Sequence, residues 1–273
     1  MVYDLNGKVV LITGGAEGIG AGVVRCLLEE NVQHVAILDV AVDLGTALQN
    51  DLNNKYGKNK VKFFKCDVTN EDELFGAFAA TRDAHGYIDV VINNAAIMND
   101  TQRCYKKEIE INFTALVTST LKALELMRKD KDGKGGAIIN MSSVAALEQS
   151  PMLPIYYGTK SAVLQFSCCL GLPDYYDRTG VRMITMCFGK TDTALLSEKK
   201  IATFDEVIEK NLQKYLGAFQ GQKVESAARA VVQACKLGES GSVWFSGKDK
   251  PVKDVTDFVK EAYGIMTKGA DMM

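Results

Sequence analysis

Val9-Val10-Leu11-Ile12-Thr13-Gly14-Gly15-Ala16-Glu17-Gly18-Ile19-Gly20 is the stretch that decides the fold of this 273-residue chain. Its apolar, mostly β-branched start reads as a strand buried on both faces, as in a parallel sheet. The glycines then predict a tight turn opening a helix. Gly14, Gly18 and Gly20 let the turn close, let backbone approach a pyrophosphate, and let the helix pack on the strand, while free N–H groups and the helix dipole face the anion. The spacing is Gly-x-x-x-Gly-x-Gly, not the commoner Gly-x-Gly-x-x-Gly, and a glycine cluster alone is a weak signal. Asp39 supplies the missing context. It lies 19 residues past Gly20, at the end of the next apolar run, where a carboxylate accepts hydrogen bonds from the ribose hydroxyls of a dinucleotide. The same charge repels a ribose 2′-phosphate, Glu17 adds another acid in the turn, and no Arg or Lys stands nearby to pair with a phosphate. The dinucleotide expected is therefore NAD rather than NADP, held by Gly14, Glu17, Gly18, Ile19, Gly20 and Asp39.

Outward from this unit, short β-branched runs alternate with segments of helical period. Strands are predicted at Lys8–Thr13, Val35–Val40, Lys62–Val68, Val90–Asn94, Ala137–Ser142, Arg182–Cys187 and Ser242–Phe245. Helices are predicted at Gly18–Glu30, Asp43–Lys55, Asp72–Ala84, Tyr105–Arg128, Tyr156–Leu170 and Glu225–Leu237. The pattern is that of an α/β protein with a seven-stranded parallel sheet and helices on both faces, a doubly wound Rossmann domain. With no repeat, low-complexity tract or linker, residues 1–273 read as one domain. The irregular stretch at about 191–222 reads as a cap over the ligand site.

Composition narrows the partners. Lys and Arg number 32 against 34 Asp and Glu, a net charge of −2 with no basic run, so nucleic acid is not an expected partner. Met1–Lys8 has no apolar signal core, and no apolar run approaches the roughly 18 residues needed to cross a bilayer. Seven cysteines without a C-x-x-C pair, and only two histidines, fit reduced thiols in a cytoplasmic protein with no metal site.

A second constellation lies at Tyr156-Tyr157-Gly158-Thr159-Lys160. Four residues apart on a helix, Tyr156 and Lys160 share a face, so the ammonium can favour the phenolate and make the tyrosine a base. Ser143, thirteen residues upstream, follows a predicted strand at the carboxyl edge of the sheet, where such sheets bind ligands.

Together, Thr13-Gly14-x-x-x-Gly18-x-Gly20, Asn93-Asn94-Ala95-Ala96, Asn112, Ser143 and Tyr156-x-x-x-Lys160 resemble the short-chain dehydrogenases/reductases over nearly the whole chain. Cys66-Asp67-Val68, Ile139-Asn140-Met141-Ser142-Ser143 and Gly158-Thr159-Lys160 look most like the NAD-linked 15-hydroxyprostaglandin dehydrogenases and the insect-type alcohol dehydrogenases. The resemblance implies that Tyr156 takes the alcohol proton, Ser143 orients that oxygen, Lys160 lowers the tyrosine pKa and holds the nicotinamide ribose, and Asn112 holds a water linking Lys160 to solvent. It also implies that Asp67 and Val68 flank the adenine, Asn94 lines the cofactor, and Gly189, Thr191 and Thr193 meet the carboxamide. Hydride would pass between nicotinamide and a small-molecule alcohol, or its ketone or aldehyde.

The chain departs from its relatives at Phe188, where they usually carry Pro before Gly189, and at Ala96, where many carry Gly. Leu153 stands where the prostaglandin dehydrogenases carry a substrate-binding Gln. With Leu195 and Tyr215 from the cap segment, it points to a bulky, lipophilic alcohol such as a terpenoid or fatty alcohol. A homodimer or homotetramer through the helices at Tyr105–Arg128 and Tyr156–Leu170 is implied as well. A non-catalytic binder of NAD or of a lipophilic ligand on the same fold is the alternative, since a fold does not fix a function.

Overall fold

The apolar run at the start of the chain forms β1 (Val9–Thr13), buried at every position. It pairs in parallel with β2 (His34–Asp39) on one side and β4 (Val90–Asn93) on the other. β3 (Val61–Lys65) lies outside β2, while β5 (Gly136–Ser143), β6 (Val181–Phe188) and β7 (Ser242–Ser246) extend the sheet beyond β4. Because the chain leaves β1 toward β2 and β3 and returns at β4 on the opposite side, the carboxyl ends of β1 and β4 flank a topological switch point, where open α/β sheets bind ligands. The computed structural model describes residues 2–197 and 200–271. Positions 1, 198, 199, 272 and 273 of the expected single domain, two of them in the expected cap, lie outside the described residues.

Helices cover both faces. α1 (Gly18–Glu29), α2 (Val42–Tyr56) and α9 (Val224–Leu237) pack over Val10, Ile12, Val35 and Ile37. α3 (Glu71–His85) and α5 (Leu116–Met127) cover Leu11, Ala36, Leu38 and Val91 from the other side. Successive strand residues thus feed opposite cores, so the strands read as continuous apolar runs without polar alternation. Each such side chain contributes about 1.5–3 kcal/mol on burial. α6 (Pro154–Leu170) and α10 (Thr256–Asp271) supply Leu164 and Val259 to a smaller cluster with Cys187 and Val243. Among the described residues no helix is long and apolar enough to cross a membrane, no group of metal-binding side chains occurs, and all seven cysteines are unpaired.

Three features correct the expectation. The sheet has eight strands, not seven: β8 (Lys253–Asp254) pairs antiparallel to β7, and two exposed polar residues carry no periodicity that could announce a strand. The helix expected at Tyr105–Arg128 is broken into α4 (Tyr105–Ile109), a π-helical turn at Glu110–Ala115, and α5. The wide turn surrounds fully buried Asn112, whose amide is drawn onto the peptide of Ile97. π-turns often mark functional positions. α7 (Pro173–Thr179) and α10 were not expected as helices. Exposed Phe258, Ile265 and Met266 blur the apolar stripe of α10. The cap contains α8 (Glu206–Gly217), started by Asp205, whose side chain accepts from Val207 and Ile208 N–H.

Candidate active site

The glycine turn is built by close approach. A Cβ on Gly14 would lie 2.8 Å from Ala95 Cα, and one on Gly20 would collide with the Gly14 carbonyl. Asn94 clamps the turn, its amide donating to the carbonyls of Thr13 (3.1 Å) and Gly14 (2.7 Å). The Asp39 carboxylate braces it from β2, accepting from Ala16 N and Ala41 N at 3.0 Å each. α1 has no side-chain cap, so its first N–H groups are available to an anion. Together these groups line a cleft of about 490 Å³ in which Gly14, Glu17, Gly18, Ile19, Asp39, Asp67, Val68, Asn94 and Thr193 all meet. The uncapped start of α1 and the close-packed glycine turn fit the pyrophosphate of a dinucleotide. Against the cost of burial, hydrogen bonds from Thr69 and the charges of Lys107 and Lys65 hold the Asp67 carboxyl below its usual range.

A second cavity, of about 160 Å³, adjoins the first through Ile19, Asn94 and Thr193. Ser143 ends β5, and Tyr156 and Lys160 lie one turn apart on α6. Ser143 and Tyr156 line the same cavity. Lys160 Nζ lies 5.7 Å from the Tyr156 ring centroid and donates to the Met141 carbonyl at 3.1 Å. Asn112 stands behind this group, bonded to Ile97 N and O at 2.8 Å each and to Thr159 Oγ1 at 3.3 Å. Asn93 turns the other way, into a buried network with Thr120 and Asn140, and serves the fold rather than the cleft.

Burial governs the ionisation of the pair. It pushes the Tyr156 phenol up to about 12, opposed by the Ser143 hydroxyl, and pushes the Lys160 ammonium down to about 8, opposed by the nearby Glu108 carboxyl. Burial thus favours the neutral phenol and weakens the hold of Lys160 on its proton. Further positive charge in the cleft shifts the phenol toward phenolate.

The small cavity is lined by Met98, Met152, Leu153, Leu195, Leu196 and Leu216, and also by Gly189 and Thr191. Phe188, the residue in place of Pro, continues β6, and its carbonyl accepts from Ser143 Oγ at 3.4 Å. Tyr215 does not join this wall. It is exposed, because the inward stripe of α8 runs through Leu212 and Leu216. Sequence reasoning also missed Lys200, which reaches from the cap to pair with Glu17 at 2.7 Å across the cofactor cleft, and buried Asp100 and Glu108 beneath α6. A larger cavity, about 1160 Å³, lies between α6, α7 and α10 near the amino ends of β6 and β7. It lies away from the carboxyl edge of the sheet, where Ser143, Tyr156 and Lys160 gather.

Comparison with known proteins agrees with this geometry. The family model described as short chain dehydrogenase matches residues 8–203. Alcohol dehydrogenase 1 of Ceratitis cosyra is 33% identical over 246 residues, 90% of this chain and 93% of that protein. Alcohol dehydrogenase 1 of Ceratitis capitata is 34% identical over the same length. The 15-hydroxyprostaglandin dehydrogenase (NAD(+)) of Macaca fascicularis is 33% identical over 219 residues, 78% of this chain and 81% of that protein. With a matched segment that begins just before β1 and ends in the cap, and the tyrosine, lysine and serine gathered at its switch point, the chain belongs to the short chain dehydrogenase family of oxidoreductases.

Proposed function

We propose that the chain is an NAD-dependent alcohol dehydrogenase acting on an apolar alcohol, with Tyr156 as general base; the bulky alcohol expected from the sequence does not fit a cavity of about 160 Å³. The observation that carries this reading is the Tyr156 phenol, gathered with Ser143 and flanked by Lys160 in an apolar cavity that adjoins the glycine-turn cleft. Asp39 favours NAD by accepting ribose hydroxyls and repelling a 2′-phosphate. NAD, when bound, supplies a cationic nicotinamide that accepts hydride from the carbinol carbon.

The residues do the rest. Ser143 Oγ and Tyr156 Oη orient the alcohol oxygen, and Tyr156 removes its proton as the carbonyl forms. Lys160 stabilises the phenolate and holds the nicotinamide ribose. Asn112 fixes the Ile97 peptide and the Thr159 hydroxyl, supporting a water that links Lys160 to solvent. Asn94, Gly189, Thr191 and Thr193 frame the nicotinamide side. Incubation with NAD and a panel of primary, secondary, terpenoid and fatty alcohols, followed by NADH absorbance, tests the reading. Turnover confined to sugars or absent throughout would overturn it.

The wall of the cavity sets the substrate preference. Each buried CH₂ adds about 0.8 kcal/mol, roughly a fourfold gain in kcat/KM. The space is smaller than the roughly 300–1,000 Å³ of drug-sized sites, so the gain should climb along a series of primary alcohols and then level off. A flat response, or best activity on a polyol, would contradict it.

The resemblance also supports a homodimer or homotetramer formed through the α4–α5 and α6 faces. Leu121 on α5 is exposed. Leu121→Glu is expected to lower the mass seen in sedimentation, and an unchanged mass would place the contact elsewhere.

A further inference from the structure

Two carboxyl groups beneath the active site have no part in the mechanism above, yet both are wholly excluded from solvent: Asp100, in the loop after β4, and Glu108, on α4. α6 begins at Pro154 behind Leu153, which offers no side-chain cap, so the first N–H groups of the helix need a partner from elsewhere. Asp100 provides it. One of its oxygens accepts from Ile155 N at 2.6 Å and the other from Tyr156 N at 3.0 Å. The backbone of the proposed base is therefore held by a residue 56 positions earlier. The Asp100 main chain is tied in turn to the cap, its N–H donating to Ala202 O at 2.8 Å.

Glu108 completes the arrangement. Its Oε1 accepts from Asn99 N, next in the chain to Asp100, at 3.1 Å, its Oε2 finds no donor, and the two carboxyls are near enough for each to shift the ionisation of the other. Two buried carboxylates cannot bond each other unless one keeps a proton. Asp100 receives two N–H donors and Glu108 only one, so the charge is better satisfied on Asp100.

We propose that Asp100 and Glu108 form a proton-sharing pair, Glu108 donating to ionised Asp100, that caps α6 and thereby positions the Tyr156 phenol. One negative charge, not two, then faces Lys160. Burial and the neighbouring Asp100 charge both favour the protonated form of Glu108. The other groups facing Glu108 are Cys104 on its own segment and Tyr156 and Lys160 on α6. A second charge at Glu108 would work against formation of the phenolate, since it raises the Tyr156 pKa.

The test has an arm that needs no activity. Infrared difference spectra of the intact protein should show the carbonyl band of a protonated carboxylic acid at pH 7, lost in Glu108→Gln and retained in Tyr156→Phe. Absence of the band in the parent, or its persistence in Glu108→Gln, would overturn the pair. The kinetic arm rests on the alcohol dehydrogenase reading. Asp100→Asn sets an amide N–H against the backbone N–H groups, and kcat should fall about tenfold or more with the KM for NAD little changed. Glu108→Ala should also lower kcat, and Glu108→Gln, which can donate to Asp100 and accept from Asn99, should restore most of it. Parental kcat in Asp100→Asn, or no rescue by Gln, would refute positioning. A parent that oxidises no alcohol would sink the functional reading while leaving the infrared result to decide the pair.

Discussion

Tyr156→Phe is expected to lower kcat by about a hundredfold to ten-thousandfold, the usual contribution of a positioned base, and to leave NAD affinity nearly intact. The substitution removes one oxygen from a buried ring and preserves its volume. The Tyr156 main-chain bond to Asp100 is untouched, and the glycine turn and Asp39 lie in the neighbouring cleft. What is lost is the proton acceptor. The pH dependence follows from the ionisations. Burial raises the phenol, so the phenolate needed for alcohol oxidation gains population as pH rises, and oxidation should accelerate on the alkaline side. Carbonyl reduction needs the neutral phenol and should slow over the same range. Steady-state kinetics in both directions, with NAD binding by calorimetry, would check this. Rates in the Phe variant within a few-fold of the parent would remove Tyr156 from its role.

Asp39→Ala carries the second large effect, on cofactor choice. In the parent, kcat/KM with NAD should far exceed that with NADP. A charged acceptor on the ribose hydroxyls is worth about 1.5–3 kcal/mol, or roughly ten- to more than hundredfold in kcat/KM. Losing it should cost NAD at least that much, because the same carboxylate also braces Ala16 and Ala41 in the glycine turn. NADP loses the brace but escapes the repulsion, so the gap between the cofactors narrows. Comparable efficiency with both in the unmutated protein would contradict the role given to Asp39.

How far the sequence could be read depended on the range of the interaction. β1, its glycine turn and Asp39 were legible because apolar run, glycine spacing and acid fall within a single βαβ unit. Tyr156 and Lys160 were legible because they lie one turn apart on α6. β8 escaped because its two residues, Lys253 and Asp254, have no apolar pattern, and the break in the helix around Asn112 escaped because the amide partner is the distant Ile97 peptide. Tyr215 looked like a pocket residue on the apolar side of an amphipathic helix in the cap segment, but the phase of α8 sends Leu212 and Leu216 inward instead. Asp100 beneath α6 and Lys200 against Glu17 join positions 56 and 183 residues apart. Only the folded chain brings such pairs together.

Hydride transfer from alcohol to NAD is the central claim, and isotope tracing reads it directly. An apolar alcohol carrying deuterium at its carbinol carbon should be oxidised with a lowered rate, and the deuterium should appear at nicotinamide C4 of the NADH formed, on a single face of the ring. NADH free of deuterium, or no NADH from any alcohol in the series, would contradict the assignment of this switch-point cleft as the site of hydride transfer.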